Sequence, residues 1–454
     1  MTAPYRPPAP KPKSAAAAFA SALLLGPRDV LALLPEPAYE SFVSRAPIGK
    51  RPIYIVNHPN LARQVLGERV ANYPKSDLMV GALTPLVGEG IFISGGETWA
   101  RQRRMIDPAF AHMRIKSAFD QMAEATGAFC ARLDGASGAP VTLDEEMSRL
   151  TADIVFRTIF SEPIEGADAS AVFHAFAEYQ NAVPQIEPKV MLESPAWSRI
   201  EPPARVTAMC REIRERLGAM IDRRLASGER RDDIAGDVIA ARDPETGEAF
   251  DREALIDQIA VFFLAGHETS ASALTWAFFI LSQQPAHLAR IRAEAERVAG
   301  EGPVRFGHVR QLTHARNVFR EVLRLYPPVS FITRIALKDD VIGRETIRAG
   351  GLVVISPWLL HRHRKFWRRP DLFNPDRHLP GRMSRAAGLA YMPFGLGPRV
   401  CTGAAFATTE SVLILAETCR RFDLEALSPG RVMPVGKLTT RPKEPIRMRF
   451  RRRG

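Results

Sequence analysis

The sequence predicts either one large helical enzyme or an assembly of two or more domains, and three observations carry that reading. At 454 residues the chain exceeds the usual size of a single domain. Between residues 118 and 231 helix formers dominate and apolar residues recur at helical spacing, as in Ile154, Phe156, Ile159 and Phe160, and again in Ile213, Leu217, Ile221 and Leu225. Residues 255–281 form the most apolar window of the chain, yet Gly266, His267, Glu268, Thr269 and Ser270 sit at its centre and suit lipid poorly. A helix apolar all round with a central polar knot reads as a buried core helix that carries chemistry.

Composition permits a substantial core, with 46% hydrophobic and 25% charged residues. The net charge of +12 raises nucleic acid, a membrane surface or an acidic protein as partners. The excess is clustered at Arg101, Arg103 and Arg104, in residues 362–369 and in the tail from Arg447 to Arg453. No nucleic-acid module pattern accompanies these clusters, so no nucleic acid partner is expected. Four cysteines without paired spacing indicate a reducing, cytoplasmic compartment and no disulfide framework. Lys11 and Lys13 precede an Ala-rich run at 15–25, which superficially resembles a signal peptide. The run continues through Pro27, Arg28 and Asp29 into a second apolar patch at 30–34, and neither patch approaches the roughly 20 apolar residues of a span. Residues 1–36 therefore read as a flexible Pro/Ala-rich arm without a transmembrane anchor, and residues 37–454 as the main domain.

Along the chain, residues 51–56 read as a strand that ends in the turn Asn57-His58-Pro59, and a helix begins at Asn60. Residues 73–93, punctuated by Pro74, Gly81, Pro85, Gly88 and Gly90, read as a long irregular loop. A helix follows in which Trp99 and Arg103, four apart, share one face. Prolines between 184 and 203 mark a mobile segment over a pocket mouth, and 229–245 reads as a charged linker. Gly266, with Thr269 or Ser270 competing for backbone bonds, predicts a kink or widened turn in the apolar helix. Glu321 and Arg324 lie three apart on one helical face, and Tyr326 and the run Asn374-Pro375-Asp376-Arg377 follow. A turn at 436–440 precedes the strand-like 445–450.

The stretch Phe394-Gly395-Leu396-Gly397-Pro398-Arg399-Val400-Cys401-Thr402-Gly403 places a cysteine in a glycine-rich basic turn ahead of an apolar helix at 404–415. The thiolate is the metal-binding form of cysteine, and Arg399 and the free amides of a helix start would lower its pKa. Gly395, Gly397 and Gly403 lack Cβ atoms and let the backbone approach a flat, bulky group, which suits a haem. A dinucleotide loop would want a small residue where Val400 stands, and a zinc site would want a second nearby cysteine. An inert buried cysteine is the usual state of a lone Cys, but the flanking pattern outweighs that reading.

The series Phe-x-x-Gly-x-Arg-x-Cys-x-Gly resembles the haem-binding signature of the cytochrome P-450 monooxygenases. Other motifs appear in that family's order from about residue 51 to 441. Trp99 and Arg103 resemble its propionate-binding pair, and Ala265-Gly266-His267-Glu268-Thr269 its oxygen-binding motif. Glu321, Arg324 and Arg377 resemble its ion cluster, with Asp376 and His378 replacing the commoner Glu and Phe. The resemblance implies a mainly α fold with small β-sheets, a single large haem domain. It implies haem b (iron protoporphyrin IX) with Cys401 as the axial thiolate ligand of iron, and cofactor contacts from Trp99, Arg103, Ala265, Gly266, Arg334, Phe394, Gly395, Arg399 and Gly403. His361 is a further, weak haem contact, and His267 a packing residue. Thr269 is the expected hydrogen-bond donor to bound dioxygen and Glu268 part of the proton path.

The implied activity inserts one atom of dioxygen into a lipophilic small molecule, by hydroxylation or epoxidation. Leu78, Met79, Val80, Phe262, Phe263, Ala265, Val329, Phe331, Ile332 and Leu438 are the candidate substrate pocket. With about fifty residues after Cys401 and no reductase domain, electrons are expected from a separate iron-sulfur ferredoxin and ferredoxin reductase, docked on basic surface of a monomer. A haem-thiolate peroxygenase or isomerase, or a non-catalytic haem sensor, are the alternatives; Glu268 and Thr269 speak for dioxygen use.

Overall fold

Helices dominate a computed structural model of the chain, which describes residues 5–14, 17–18, 29–46, 51–136, 138–182, 202–229 and 231–453. In order they are α1 (Pro59–Arg63), α2 (Asp77–Val87), α3 (Gly96–Ile106), α4 (His112–Gly135), α5 (Leu143–Phe160), α6 (Ala167–Ala182), α7 (Ala204–Ser227) and α8 (Ile234–Ala240). Then come α9 (Arg252–Ser282), α10 (Pro285–Ala299), α11 (Phe306–Val309), α12 (Thr313–Leu325), α13 (Pro357–Leu360), α14 (Arg385–Ala390) and α15 (Ala404–Arg421). The strands are short: β1 (Val43–Ala46), β2 (Ile53–Val56), β3 (Val141–Thr142), β4 (Ile332–Ile335), β5 (Asp340–Ile342), β6 (Glu345–Ile347), β7 (Leu352–Ile355), β8 (Phe422–Ala426), β9 (Pro434–Gly436), β10 (Thr440–Pro442) and β11 (Arg447–Arg452). They pair as a sheet of order β1-β2-β7-β4, parallel only between β2 and β7, a sheet β3-β11-β8 and the hairpins β5–β6 and β9–β10.

α9 organises the rest. The Asp251 carboxylate caps it by accepting from the Ala254 amide at 2.7 Å. It packs on α5, α7, α12, α2 and α15. Two hydrophobic cores meet along it: residues 255–264 pack with α2, α5, α6 and α7, whereas 271–281 pack with α4, α10, α12 and α15. The polar knot at 265–270 sits at the seam between them, where burial of its backbone needs no break in either core. The helix runs as regular α-helix through Gly266 without a widened turn, and a Cβ there would lie 3.1 Å from Val155 of α5, a close approach that favours glycine.

Two further expectations are corrected. Residues 73–93 are not a loop throughout, because α2 occupies their middle. The Ser76 hydroxyl caps it, Pro85 in its last turn forgoes a bond to the Gly81 carbonyl, and burial of Leu78, Leu83, Leu86 and Val87 offsets that loss. Gly88 ends it with φ +50°, at a point where a Cβ would overlap the Asp257 carboxylate. The linker at 229–245 contains α8, capped by Asp233. Within the first 36 residues, the Tyr5 carbonyl accepts from the Phe373 amide, the Pro8 carbonyl accepts from the Tyr326 hydroxyl, and Leu31 and Leu34 are buried in the main core. The segment expected over the pocket mouth lies, except for its last two residues, outside the described residues.

Candidate active site

Between residues 255 and 281 every side chain of α9 is buried except three: Ala265 is exposed, and Gly266 and Thr269 are half-buried. At 3.6 residues per turn these share one face with Phe262. Phe263 is turned away from Ala265, tilted against Phe156, Phe176 and His267 and 1% exposed, so it does not line this cavity. Leu78, also 1% exposed, packs under β7 against Leu352 and Val354. Met79, Val80, Val329, Phe331, Ile332 and Leu438 are half-buried, and Phe262 meets Phe110 edge-on at 5.2 Å.

Cys401 is exposed in the turn before α15, whose Phe406 touches both cores. The Cys401 amide donates to the Phe394 carbonyl at 3.0 Å, closing the turn. Gly395 and Gly397 have φ +79° and +77°, the left-handed region that glycine adopts freely. At Gly397 a Cβ would also lie 2.1 Å from the Leu66 carbonyl, so protein backbone, and not only a ligand, fixes that glycine. The expected lowering of the thiol pKa is not found: desolvation raises it, and the Gly403 amide and Arg103 offset this only in part. A coordinated metal ion would itself deprotonate such a thiol.

Around this turn stand cations without acids. The Arg334 side chain is 3% exposed, donates to the Thr333 carbonyl and leaves its Nε unpartnered. Arg399 donates to the Ser94 carbonyl at 2.6 Å and lies over the Trp99 ring at 4.5 Å. Lys75, whose backbone bridges that of Arg334, has its ammonium 4.3 Å from the Phe92 centroid. No carboxylate pairs with these three among the described residues. Burial, then the neighbouring cations, pull Lys75 well below its ordinary pKa, and Arg334 and Arg399 to about 10. Arg103 differs in donating to Asp107 at 2.9 Å, and it also donates to the Val400 carbonyl at 2.8 Å. A cluster of like charges in which Arg334 is buried and Lys75 and Arg399 are half-buried needs an anion. The two propionate carboxylates of a haem meet that need, so the residues present fit the group.

Thr269 and Glu268 are both engaged. The Thr269 hydroxyl donates to the Ala265 carbonyl of its own helix at 2.6 Å. Glu268, 3% exposed, accepts from Gln180 of α6 at 2.7 Å, from Thr439 at 2.8 Å and from Arg441 of β10 at 3.1 Å. Behind the pair, the Ser270 hydroxyl donates to Glu410 of α15, whose burial raises its pKa to about 8. The Glu321 cluster assembles as expected: the carboxylate binds Arg324 at 2.8 Å and Arg377 at 3.0 Å. His378 adds a fourth group at 3.1 Å, so the departure from Phe joins the cluster. His361 is not free for a haem contact, because Nδ1 meets the Arg324 carbonyl and Nε2 accepts from the Met392 amide.

The cytochrome P450 family model matches residues 22–450. The chain belongs to that family. Its relatives include cyclooctatin synthase of Streptomyces melanosporofaciens, 33% identical over 431 residues that cover 91% of this chain and 89% of that one. Cyclooctat-9-en-7-ol 5-monooxygenase of the same organism is 31% identical over 91% of this chain and 88% of that one. The crystal structure of the cytochrome P450DA heme domain superposes with TM-score 0.80 at 27% identity, covering 91% and 89% of the two chains. This P450 is thus an oxidoreductase of the monooxygenase class, with a mainly helical, single-domain haem fold.

Several residues of the site carry no readable signal in sequence. Gln180 lies in an ordinary helix, and Arg441 and Thr439 are brought to Glu268 only by folding of the β9–β10 hairpin. Glu410 and Lys75 are identifiable only by burial. His378 had a signal, its place beside Arg377.

Proposed function

We propose that this P450 binds haem b through Cys401 and hydroxylates or epoxidises a lipophilic small molecule, with electrons from a separate ferredoxin and reductase. The observation that supports it most is the set of acid-free cations, Lys75, Arg334 and Arg399, beside a turn that presents Cys401. When bound, haem supplies dioxygen activation, which a thiolate ligand favours. Arg334 and Arg399, with Arg103 and Trp99, would hold the propionates, the arginine forks matching carboxylate geometry. Ala265 and Gly266 of α9, and Phe394, Gly395 and Gly403 of the Cys401 turn, would be the remaining contacts to the group.

Thr269 turns its hydroxyl from the Ala265 carbonyl toward the cavity, and Glu268, paired with Arg441, forms part of the proton path. Met79, Val80, Phe262, Val329, Phe331, Ile332 and Leu438 exclude water and receive an apolar substrate. The names of the two Streptomyces relatives, one of them for a cyclic alkenol, put lipophilic alcohols and alkenes first among candidates.

The test is spectroscopic. Reduced wild-type protein with carbon monoxide is expected to absorb at the thiolate-type position, and Cys401→Ser protein to lose that band. Retention of the band by Cys401→Ser would defeat the assignment. Turnover is then compared between ferredoxin with reductase and peroxide alone: product only with peroxide identifies a peroxygenase, and no product in either arm a sensor.

A further inference from the structure

The β9–β10 hairpin is held from two sides. On the core side, the Thr440 carbonyl accepts from Ser272 at 2.7 Å and from the Trp276 indole at 2.8 Å, both on α9. On the other side lies a segment far away in sequence. The Gly436 amide donates to the Asp29 carboxylate at 2.9 Å, and the Val30 amide donates back to the Gly436 carbonyl at 3.0 Å. The same Asp29 oxygen accepts from the Leu31 amide at 3.0 Å, which fixes the carboxylate's own position. Leu31 is 2% exposed and presses against Gly436 so closely that a Cβ there would lie 2.9 Å from its Cγ and 3.1 Å from its backbone nitrogen.

What this brace positions is the Glu268 carboxylate. Gly436 pairs with Thr440 across the hairpin, and the connecting turn carries Leu438, a pocket residue, and Thr439. Thr439 and Arg441 supply donors to Glu268 Oε1, and Arg441 also donates to the Gln180 side-chain oxygen Oε1 at 2.7 Å. A displacement of the hairpin by even one ångström would lengthen the Thr439 and Arg441 bonds beyond useful hydrogen-bond range.

We propose that Asp29 is a positioning residue of the active site, setting the β9–β10 hairpin and through it the Thr439 and Arg441 contacts that orient Glu268. Residues 29–31 thereby support the active site from outside it and are not a dispensable arm. The role needs an oxygen acceptor at this place, not a charge. Burial raises the Asp29 pKa, while the Gly436, Leu31 and Ala32 amides, and after them the Lys13 cation, lower it; the amides that carry the brace are donors that an amide oxygen serves as well.

This inference rests on the monooxygenase reading, and the experiment separates the two. Wild type, Asp29→Ala, Asp29→Asn and Gly436→Ala are compared in two measurements. The first is backbone hydrogen exchange of the 432–442 segment in the protein as purified. The second is oxygen consumption per haem with ferredoxin, reductase and dioxygen alone, with its solvent deuterium isotope effect. Asp29→Ala is expected to exchange faster in the hairpin, to consume oxygen roughly fivefold more slowly, the factor for one lost hydrogen bond, and to show a changed isotope effect. Asp29→Asn stays within about twofold of wild type, the residual expected when the acceptor geometry is kept. Gly436→Ala, which disturbs the contact from the hairpin side, reproduces Asp29→Ala and covers the case in which that variant folds poorly. Wild-type behaviour of Asp29→Ala and Gly436→Ala in both measurements overturns the proposal, and so does an Asp29→Asn protein as impaired as Asp29→Ala. Wild-type protein without a thiolate-type carbon monoxide band or oxygen consumption would instead overturn the monooxygenase reading.

Discussion

Arg441 and Glu268 form an ion pair at 2.9 Å in which the acid is 3% exposed and the base 30%. The pair joins β10 to the middle of α9, and Gln180 and Thr439 fill the remaining acceptor sites of the carboxylate. Removing the base leaves a buried carboxylate with neutral donors only. Arg441→Gln is therefore expected to lose about 2 kcal/mol of stability, read as a lower denaturant midpoint. The double variant Arg441→Gln, Glu268→Gln should lose less than the sum of the single ones by about 1 kcal/mol. Additive losses would mean that the pair is not formed in solution.

Four buried histidines make stability depend on pH well above the carboxylate range. Burial, as the leading cause, depresses His267 and His361 to about 3 and His314 and His363 to about 4, against an ordinary value of 6.5. The unfolded chain thus takes up protons below pH 6.5 that the folded chain refuses, so stability falls as pH falls from about 6.5 toward 4. Each histidine contributes up to about 1.4 kcal/mol per pH unit in that window. His363→Phe, which keeps the stacking on Phe42 and Phe366, should flatten the slope by close to one proton in urea titrations at pH 7, 6 and 5. An unchanged slope would show that His363 is protonated in the folded protein.

The fold and half of the site could be read in the sequence because their signals are local. The Cys401 turn, the Glu321–Arg324 spacing and the α9 knot each lie within a dozen residues, where turn and helix geometry act directly. Failures came where distant packing decides the outcome. Pro85 and Gly88 suggested a loop, yet burial of Leu83, Leu86 and Val87 outweighed the helix-breaking cost. Gly266 suggests a widened turn, but the helix stays regular there and the glycine admits Val155 of α5. Phe263 was placed in the pocket on composition, whereas helical phase alone turns it away from Ala265. Gln180, Arg441 and Asp29 reach Glu268 or its support only through tertiary contacts, and nothing in their neighbourhoods marks them.

Glu410 lies 1% exposed between α15 and α9, with one oxygen bonded to Ser270 and the other unpartnered. Its pKa of about 8, raised by burial, lies above the 4.5 of the unfolded chain. The folded protein then holds a proton that the unfolded chain releases, so stability falls as pH rises from 4.5 through about 8. Glu410→Gln removes this dependence. It should match wild type near pH 5 and exceed it by about 1–2 kcal/mol at pH 8, after allowance for the added amide donor. Equal stability of the two proteins at both pH values would place the Glu410 carboxyl in contact with water.

Arg334 allows opposite effects of one substitution to be separated. It is 3% exposed, its Nε lacks a partner, and its charged neighbours are Arg399 and Lys75. In protein freed of haem this is an uncompensated buried cation, so Arg334→Leu should raise apoprotein stability by about 1–3 kcal/mol. At the proposed propionate site the same arginine would supply charge-assisted hydrogen bonds to a carboxylate, and its loss should speed haem transfer to an excess acceptor protein roughly tenfold. Arg334→Lys keeps the charge but not the fork, and should speed transfer without stabilising the apoprotein. A leucine variant that is less stable without haem would mean that Arg334 is satisfied by water or protein groups, and the cation cluster would then no longer argue for a propionate site.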